Sequence, residues 1–159
     1  MTIIEDTRQQ SGKHYLKHEY FEKTGVKVVR SKLPVGDYAN IKNMSVIVDT
    51  KQNIQEVISN VTQQHKRFVA ECDLANESDI KLIILVENED GITKINDLYK
   101  WWNPRTRFSQ RATTGRQLAK ILTGIEYRHG VRFEFCRPEE AGHRIIELLP
   151  DTEGNNETS

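Results

Sequence analysis

Three residues could do chemistry together: Asp37, Asp49 and Lys51. Asp37 sits in Pro-Val-Gly-Asp-Tyr at 34–38, and the other two close Ser-Val-Ile-Val-Asp-Thr-Lys at 45–51. The second stretch is a β-branched run, which favours a buried strand. Strand side chains alternate faces, so Asp49 and Lys51 leave on the same side. Asp37 follows the turn former Gly36 and begins a preceding strand, and a link near Asn43 would pair the two. Their carboxylates would then meet beside an ammonium. Carboxylates so placed repel unless a cation lies between them, and hard divalent cations take oxygen ligands. A lysine beside such a metal can orient a water or help deprotonate it, a kit for phosphodiester hydrolysis. The plainer reading is a strand that ends in Asp-Thr-Lys because it reaches solvent.

The elements that must position these residues alternate along the chain. Thr-Ile-Ile-Glu at 2–5 reads as a strand that runs into Asp6-Thr7-Arg8. Residues 13–24 suggest a helix on Leu16 and Tyr20, with Tyr15 and Phe21 beside them, stopped by Gly25. Residues 26–30 form a strand. Asn53, with Glu56 three residues on, caps a helix whose stripe is Ile54, Ile58, Val61, His65, Phe68, Cys72 and Ala75. His65 on that stripe reads as a core-edge residue. Arg67 and Glu71 are four apart and either pair on the surface or point at the strand ends; Glu71 is read as a surface residue. The near-continuous apolar run at 81–86 predicts a strand covered on both faces. Residues 97–116 fit no clean element. Thr114 to Gln117 form a capping-box pattern before a helix on Leu118, Ile121, Leu122 and Ile125. Residues 131–136 alternate as a strand, and Pro138 with Glu139 and Glu140 opens a last helix. A three-strand meander early and crossover helices later predict an α/β fold, a mixed sheet flanked by helices on both faces.

The chain has 159 residues, 36% hydrophobic and 29% charged, which suits one globular domain over 1–150. Residues 151–159 are polar and acidic and predict a disordered tail. No apolar run is long enough to span a bilayer, and no signal-peptide pattern opens the chain, so a cytoplasmic, intracellular location is expected. Cys72 and Cys136 have no metal-type spacing and read as reduced thiols. Twenty-three basic and 23 acidic side chains cancel, so nucleic-acid binding must rest on local charge. The window 100–120 supplies it: Lys100, Arg105, Arg107, Arg111, Arg116 and Lys120 occur with no Asp or Glu. Trp101, Trp102 and Phe108 are interleaved and could stack on unpaired bases. Both tryptophans could equally anchor the loop in the core. Thr113, Thr114 and Gly115 suggest a mobile loop meeting a helix N-terminus. No Gly-rich phosphate loop follows a strand, which discounts a nucleotide-binding α/β protein.

The order of elements and motifs resembles the XPF-type nuclease domain of the PD-(D/E)xK superfamily. Asp6-Thr7-Arg8-Gln9 looks like its Asp-x-Arg-Glu motif, Gly36-Asp37-Tyr38 its Gly-Asp motif, and Val48-Asp49-Thr50-Lys51 its Glu-Arg-Lys motif. The resemblance covers residues 2–149 and implies a restriction-endonuclease-like core. Gln9 stands where that family has Glu, Asp49 for its Glu, Thr50 for its Arg, and Gln55 for an acidic residue four after the lysine. The resemblance implies a Mg²⁺- or Mn²⁺-dependent endonuclease, without membrane contact, acting on branched, flap or junction DNA in repair or recombination. Asp37 and Asp49 would hold the metal with the Thr50 carbonyl, and Lys51 would position the attacking water. Asp6 would hold the metal through water, and Arg8 would contact phosphate or lock Asp6. Arg67, Arg105, Arg107, Arg111 and Arg116 are the DNA-binding candidates. A homodimer is expected through the helix at 114–128, the strand at 131–136 and the helix at 138–149. The competing reading is a catalytically weak or inactive DNA-binding or dimer-scaffold module of the same fold, to which the Gln9 and Gln55 departures point.

Overall fold

The computed structural model describes residues 1–10 and 12–151. Six strands form one sheet: β1 (Thr2–Glu5), β2 (Lys27–Arg30), β3 (Tyr38–Asn40), β4 (Asn43–Lys51), β5 (Lys81–Glu87) and β6 (Arg132–Cys136). Their order is β2-β1-β3-β4-β5-β6. Five helices accompany them: α1 (Tyr15–Lys23), α2 (Ile54–Val61), α3 (His65–Glu77), α4 (Gly115–His129) and α5 (Ala141–Leu148). The mixed sheet with helices on both faces is the architecture the alternation predicts. The early meander is different in detail. The chain crosses over through α1, so β2 pairs parallel with β1, and β3 returns antiparallel on the other side of β1. A helix between β1 and β2 favours that parallel pairing.

The strand alternation sorts the core. Ile4, Ala39, Ile47, Leu82, Ile84, Val86, Phe133 and Phe135 face α2, α3 and α4. Ile3, Tyr38, Val48, Ile83 and Leu85 face α1 and α5. β5 is buried on both sides, as its unbroken apolar run requires. α4 begins on the expected capping box between Thr114 and Gln117 and ends on left-handed Gly130.

Three helical expectations change. The stripe expected over Ile54 to Ala75 is two helices, because Thr62 leaves helical geometry and its hydroxyl bonds the Ile58 carbonyl. His65 starts α3 and is exposed, not a core-edge residue. In α1 the inward positions are Lys17 and Phe21, while Tyr15 and Leu16 are exposed. The last helix starts as a 3₁₀ turn over Pro138–Glu140 before α5. The disordered-tail expectation falls, after Asp151, outside the described residues.

Candidate active site at the β3–β4 ends

β3 and β4 pair antiparallel with Tyr38 opposite Val48 and Ala39 opposite Ile47. The same register continued one residue sets Asp37 opposite Asp49, and the Asp37 N–H donates to the Val48 carbonyl at 2.9 Å. Gly36 makes the approach possible. Its φ is 67°, and a Cβ there would lie 2.6 Å from Ile47 Cγ2, so a side chain is excluded twice over. The Asp37 carboxylate accepts the Thr50 N–H at 2.7 Å and the Thr50 hydroxyl at 2.9 Å.

Lys51 and Asp49 share a face, as their spacing predicts, with Nζ 3.0 Å from Oδ2. That ion pair is the partner of buried Asp49 Oδ2, which accepts no other hydrogen bond. Burial of its carboxyl and the charge of Asp49 push the Asp37 pKa well above the usual carboxylate range. Burial pulls the Lys51 pKa down, but Asp49 outweighs it and holds the amine above its ordinary value. Lys51 is therefore an ammonium at neutral pH, suited to orienting a water or steadying negative charge rather than taking a proton.

Asp6 and Arg8 form a lock. Asp6 is 1% exposed. Its Oδ2 accepts the Arg8 N–H and Nε–H at 3.0 and 2.6 Å, and its Oδ1 accepts the Leu33 N–H at 2.8 Å and Arg8 Nη2 at 3.2 Å. Burial opposes ionisation, but the bonds from Arg8 and Leu33 hold the Asp6 pKa below its ordinary value. With both oxygens engaged by Arg8 and Leu33, Asp6 fixes the loop beside the site. Arg8 lines the site; Asp6 does not.

An open, polar cleft of about 460 Å³ contains Asp37, Asp49, Thr50 and Lys51, with Arg8 and Arg67 on its walls. Arg105, Arg107, Arg111 and Arg116 lie outside those walls. Glu71 is not a surface residue paired with Arg67. It accepts the Gly36 N–H at 3.3 Å, and burial and Asp49 raise its pKa. It lines a small recess with Lys51 and Arg67.

The donor set fits a hard divalent cation in one respect: two opposed carboxylates, whose mutual repulsion helps raise the Asp37 pKa, offer oxygen ligands side by side. Among the described residues no group of three or more His, Cys, Asp or Glu is gathered for a metal, so further ligands must be backbone oxygens or water. Gln55 adds nothing acidic. Its Nε2 donates to Asn103 Oδ1 at 2.7 Å, and Asn103 in turn donates to the Thr113 carbonyl at 2.7 Å.

That contact braces the basic segment, which holds two 3₁₀ turns, Ile95–Lys100 and Pro104–Arg107. The loop expected to be mobile is thus tied at its base to α2. A Cβ on Gly115 would lie 2.1 Å from the Leu98 carbonyl oxygen, so only glycine lets α4 start against the first turn. The tryptophans divide: Trp101 packs on the core, while Trp102 is 57% exposed beneath the Arg107 guanidinium, 5.5 Å from its ring centre. Phe108 is 85% exposed.

Sequence reasoning missed His14, Lys13 and Gln52 on the cleft wall, and the buried Lys17–Glu87 pair, 2.8 Å apart, beside them. Lys17 and Phe21 sit four apart, but a lysine at the inward position is legible only once Glu87 arrives from a distant strand.

The mixed six-strand sheet thus carries Asp37, Asp49 and Lys51 together at the ends of its β3–β4 pair. The ERCC4 domain family matches residues 5–149, and the chain belongs to that family. Its fold is similar to XPF from Aeropyrum pernix, with a TM-score of 0.62 at 19% identity over 93% of this chain and 59% of that one. It is likewise similar to the same organism's XPF in complex with DNA, with a TM-score of 0.62 at 21% identity over 92% of this chain and 62% of that one. The chain thus spans about three-fifths of those structures. No curated protein matches the sequence. Among the described residues no helix is long and apolar enough to cross a membrane.

Proposed function

We propose that the chain is a divalent-metal-dependent DNA endonuclease acting on branched, flap or junction DNA in repair or recombination. One observation carries the reading: the opposed Asp37 and Asp49 carboxylates, with the Lys51 ammonium 3.0 Å from Asp49 Oδ2, in an open polar cleft. Asp37, Asp49 and the Thr50 carbonyl would hold Mg²⁺ or Mn²⁺, which when bound polarises the scissile phosphate. Lys51 orients the attacking water and offsets the charge that builds on the phosphate. Arg8 and Arg67 contact phosphates from the cleft walls. Arg105, Arg107, Arg111 and Arg116 hold the flanking DNA, with Trp102 and Phe108 exposed among the first three. DNA in one of the similar structures supports this direction.

The expected homodimer belongs to the same proposal, on a reduced surface. Leu118, Leu122, Ile125, Ile145 and Leu149 are buried within one chain, and Ile121, Ile146 and Leu148 are half-buried. What α4 leaves for a second copy is Tyr127, almost fully exposed. A monomeric mass by light scattering at micromolar concentration rejects the dimer.

The second reading, a weak or inactive scaffold, draws on Gln55, a neutral amide whose Nε2 donates to Asn103. The test is purified protein with flap, fork, Holliday-junction and linear DNA, with Mg²⁺, with Mn²⁺ and with chelator. Cleavage of a branched substrate only when metal is present supports the nuclease. Tight binding without cleavage under every condition supports the scaffold.

A further inference from the structure

A second pocket opens beside the cleft. Its volume is about 360 Å³, and Lys13, His14, Tyr15, Leu16, Lys17, Gln52, Glu87 and Pro138 enclose it. Three of these, Lys13, His14 and Gln52, also wall the cleft, so the two spaces adjoin. Gln52 directly follows Lys51. The pocket near Trp102 shares no wall residue with the cleft.

The walls divide by chemistry. Tyr15 is 66% exposed, and Leu16 is also exposed. Neither serves the core, although both sit on a helix whose other face is packed. Pro138 adds a further apolar wall, and Gln52 and His14 supply polar ones. The floor is rigid: buried Lys17 pairs with buried Glu87, and Lys17 Nζ lies 3.1 Å from His14 Nδ1. The ammonium is a donor, so Nδ1 accepts and Nε2 carries the ring hydrogen. One aromatic face, one amide and one ring N–H suit a planar heterocycle with polar edges, and the volume is in the range of small-ligand sites. Lys13, on both walls, is placed to meet a phosphate between the two spaces.

We propose that this pocket holds one unpaired nucleobase of the DNA strand whose phosphate lies in the cleft, stacked on Tyr15 and met at its edge by Gln52 and His14. The inference rests on the nuclease reading and adds to it a reason for choosing branched DNA: a base within a continuous duplex cannot leave its stack without cost. The whole protein carrying Asp49→Asn, which keeps the DNA uncut, tests it. 5-Iodouracil is placed in turn at each unpaired position beside the branch, irradiated, and the crosslinked peptide identified by mass spectrometry. The expected result is a crosslink on Tyr15 from one position. At that position an abasic residue weakens binding about tenfold in the Tyr15-containing protein and hardly at all once Tyr15→Ala is added, while Tyr15→Phe behaves like tyrosine. Crosslinks only on Trp102 or Phe108, with equal abasic losses with and without Tyr15, overturn the pocket assignment while leaving DNA binding intact. No binding of branched DNA at all overturns the nuclease reading and the pocket with it.

Discussion

Two buried acidic centres flank the middle of the sheet, and they are built differently. Glu5, at the end of β1, is 1% exposed and well partnered. Its Oε2 accepts the Tyr38 hydroxyl at 2.8 Å and lies 2.6 Å from His18 Nε2, while its Oε1 is 3.8 Å from the Arg30 guanidinium. Asp37 and Asp49, at the ends of the next two strands, β3 and β4, face each other, and Asp49 Oδ2 has only the Lys51 ammonium, 3.0 Å away. The first centre ties β1, β2, β3 and α1 together. The second sets two carboxylates face to face, with one ammonium, Lys51, against Asp49. A buried acid with full partners holds structure, whereas two opposed acids with one ammonium beside them are a place for a further cation.

The widest separation between the two centres should appear in catalysis. Lys51→Ala or Asp49→Asn should lower metal-dependent cleavage roughly 10²–10³-fold or more, with the circular dichroism spectrum unchanged. Activity of Asp49→Asn equal to wild type removes the nuclease assignment. Next in size is DNA affinity. Reversing Arg105, Arg107 and Arg111 to Glu should weaken binding and flatten the salt dependence by about one log–log slope unit per lost phosphate contact. Fluorescence anisotropy across salt concentrations checks it, and an unchanged slope moves the DNA to another face.

Metal-free stability should invert the order. Glu5→Gln removes a charged acceptor from Tyr38, His18 and Arg30 and should cost about 1–3 kcal/mol. Asp49→Asn removes the repulsion on Asp37 together with the Lys51 ion pair, two effects that oppose each other, and should change the melting temperature less than Glu5→Gln does. A larger loss for Asp49→Asn than for Glu5→Gln would reverse the comparison. The smallest effect concerns pH. Burial, with Lys17 next to it, depresses the His14 pKa from 6.5 to about 4; Glu5 opposes the shift, and His18 and Lys13 add to it. Between those values the unfolded chain binds a proton that the folded protein does not. Its contribution to stability is therefore present above pH 6.5 and is lost as pH falls toward 4. His14→Gln should make the melting temperature fall less steeply over that window, and an unaltered slope would show that His14 is not kept neutral.

Much of this was legible in the residues. The β-branched run before Asp49 and the alternation of Asp49 and Lys51 gave strand and face, and Thr114 with Gln117 gave the start of α4. Three things were not. The break at Thr62 leaves Val61 and Phe68 in phase, so periodicity carries no sign of it. The inward lysine of α1 depends on Glu87, seventy residues away in sequence (Lys17 to Glu87). From the motif Asp6-Thr7-Arg8-Gln9, Asp6 reads as a metal-side acid, and the motif carries no sign of the Leu33 N–H, brought in from beyond β2 onto its Oδ1.

The central claim is that Asp37 and Asp49 are kept together for a divalent cation. Calorimetric titration of Mn²⁺ into the DNA-free protein tests it most directly, with Asp49→Asn and Glu5→Gln titrated alongside. Wild type and Glu5→Gln should bind with similar heats, and Asp49→Asn should bind weakly or not at all. Identical binding in wild type and Asp49→Asn, or loss in Glu5→Gln alone, would contradict the claim.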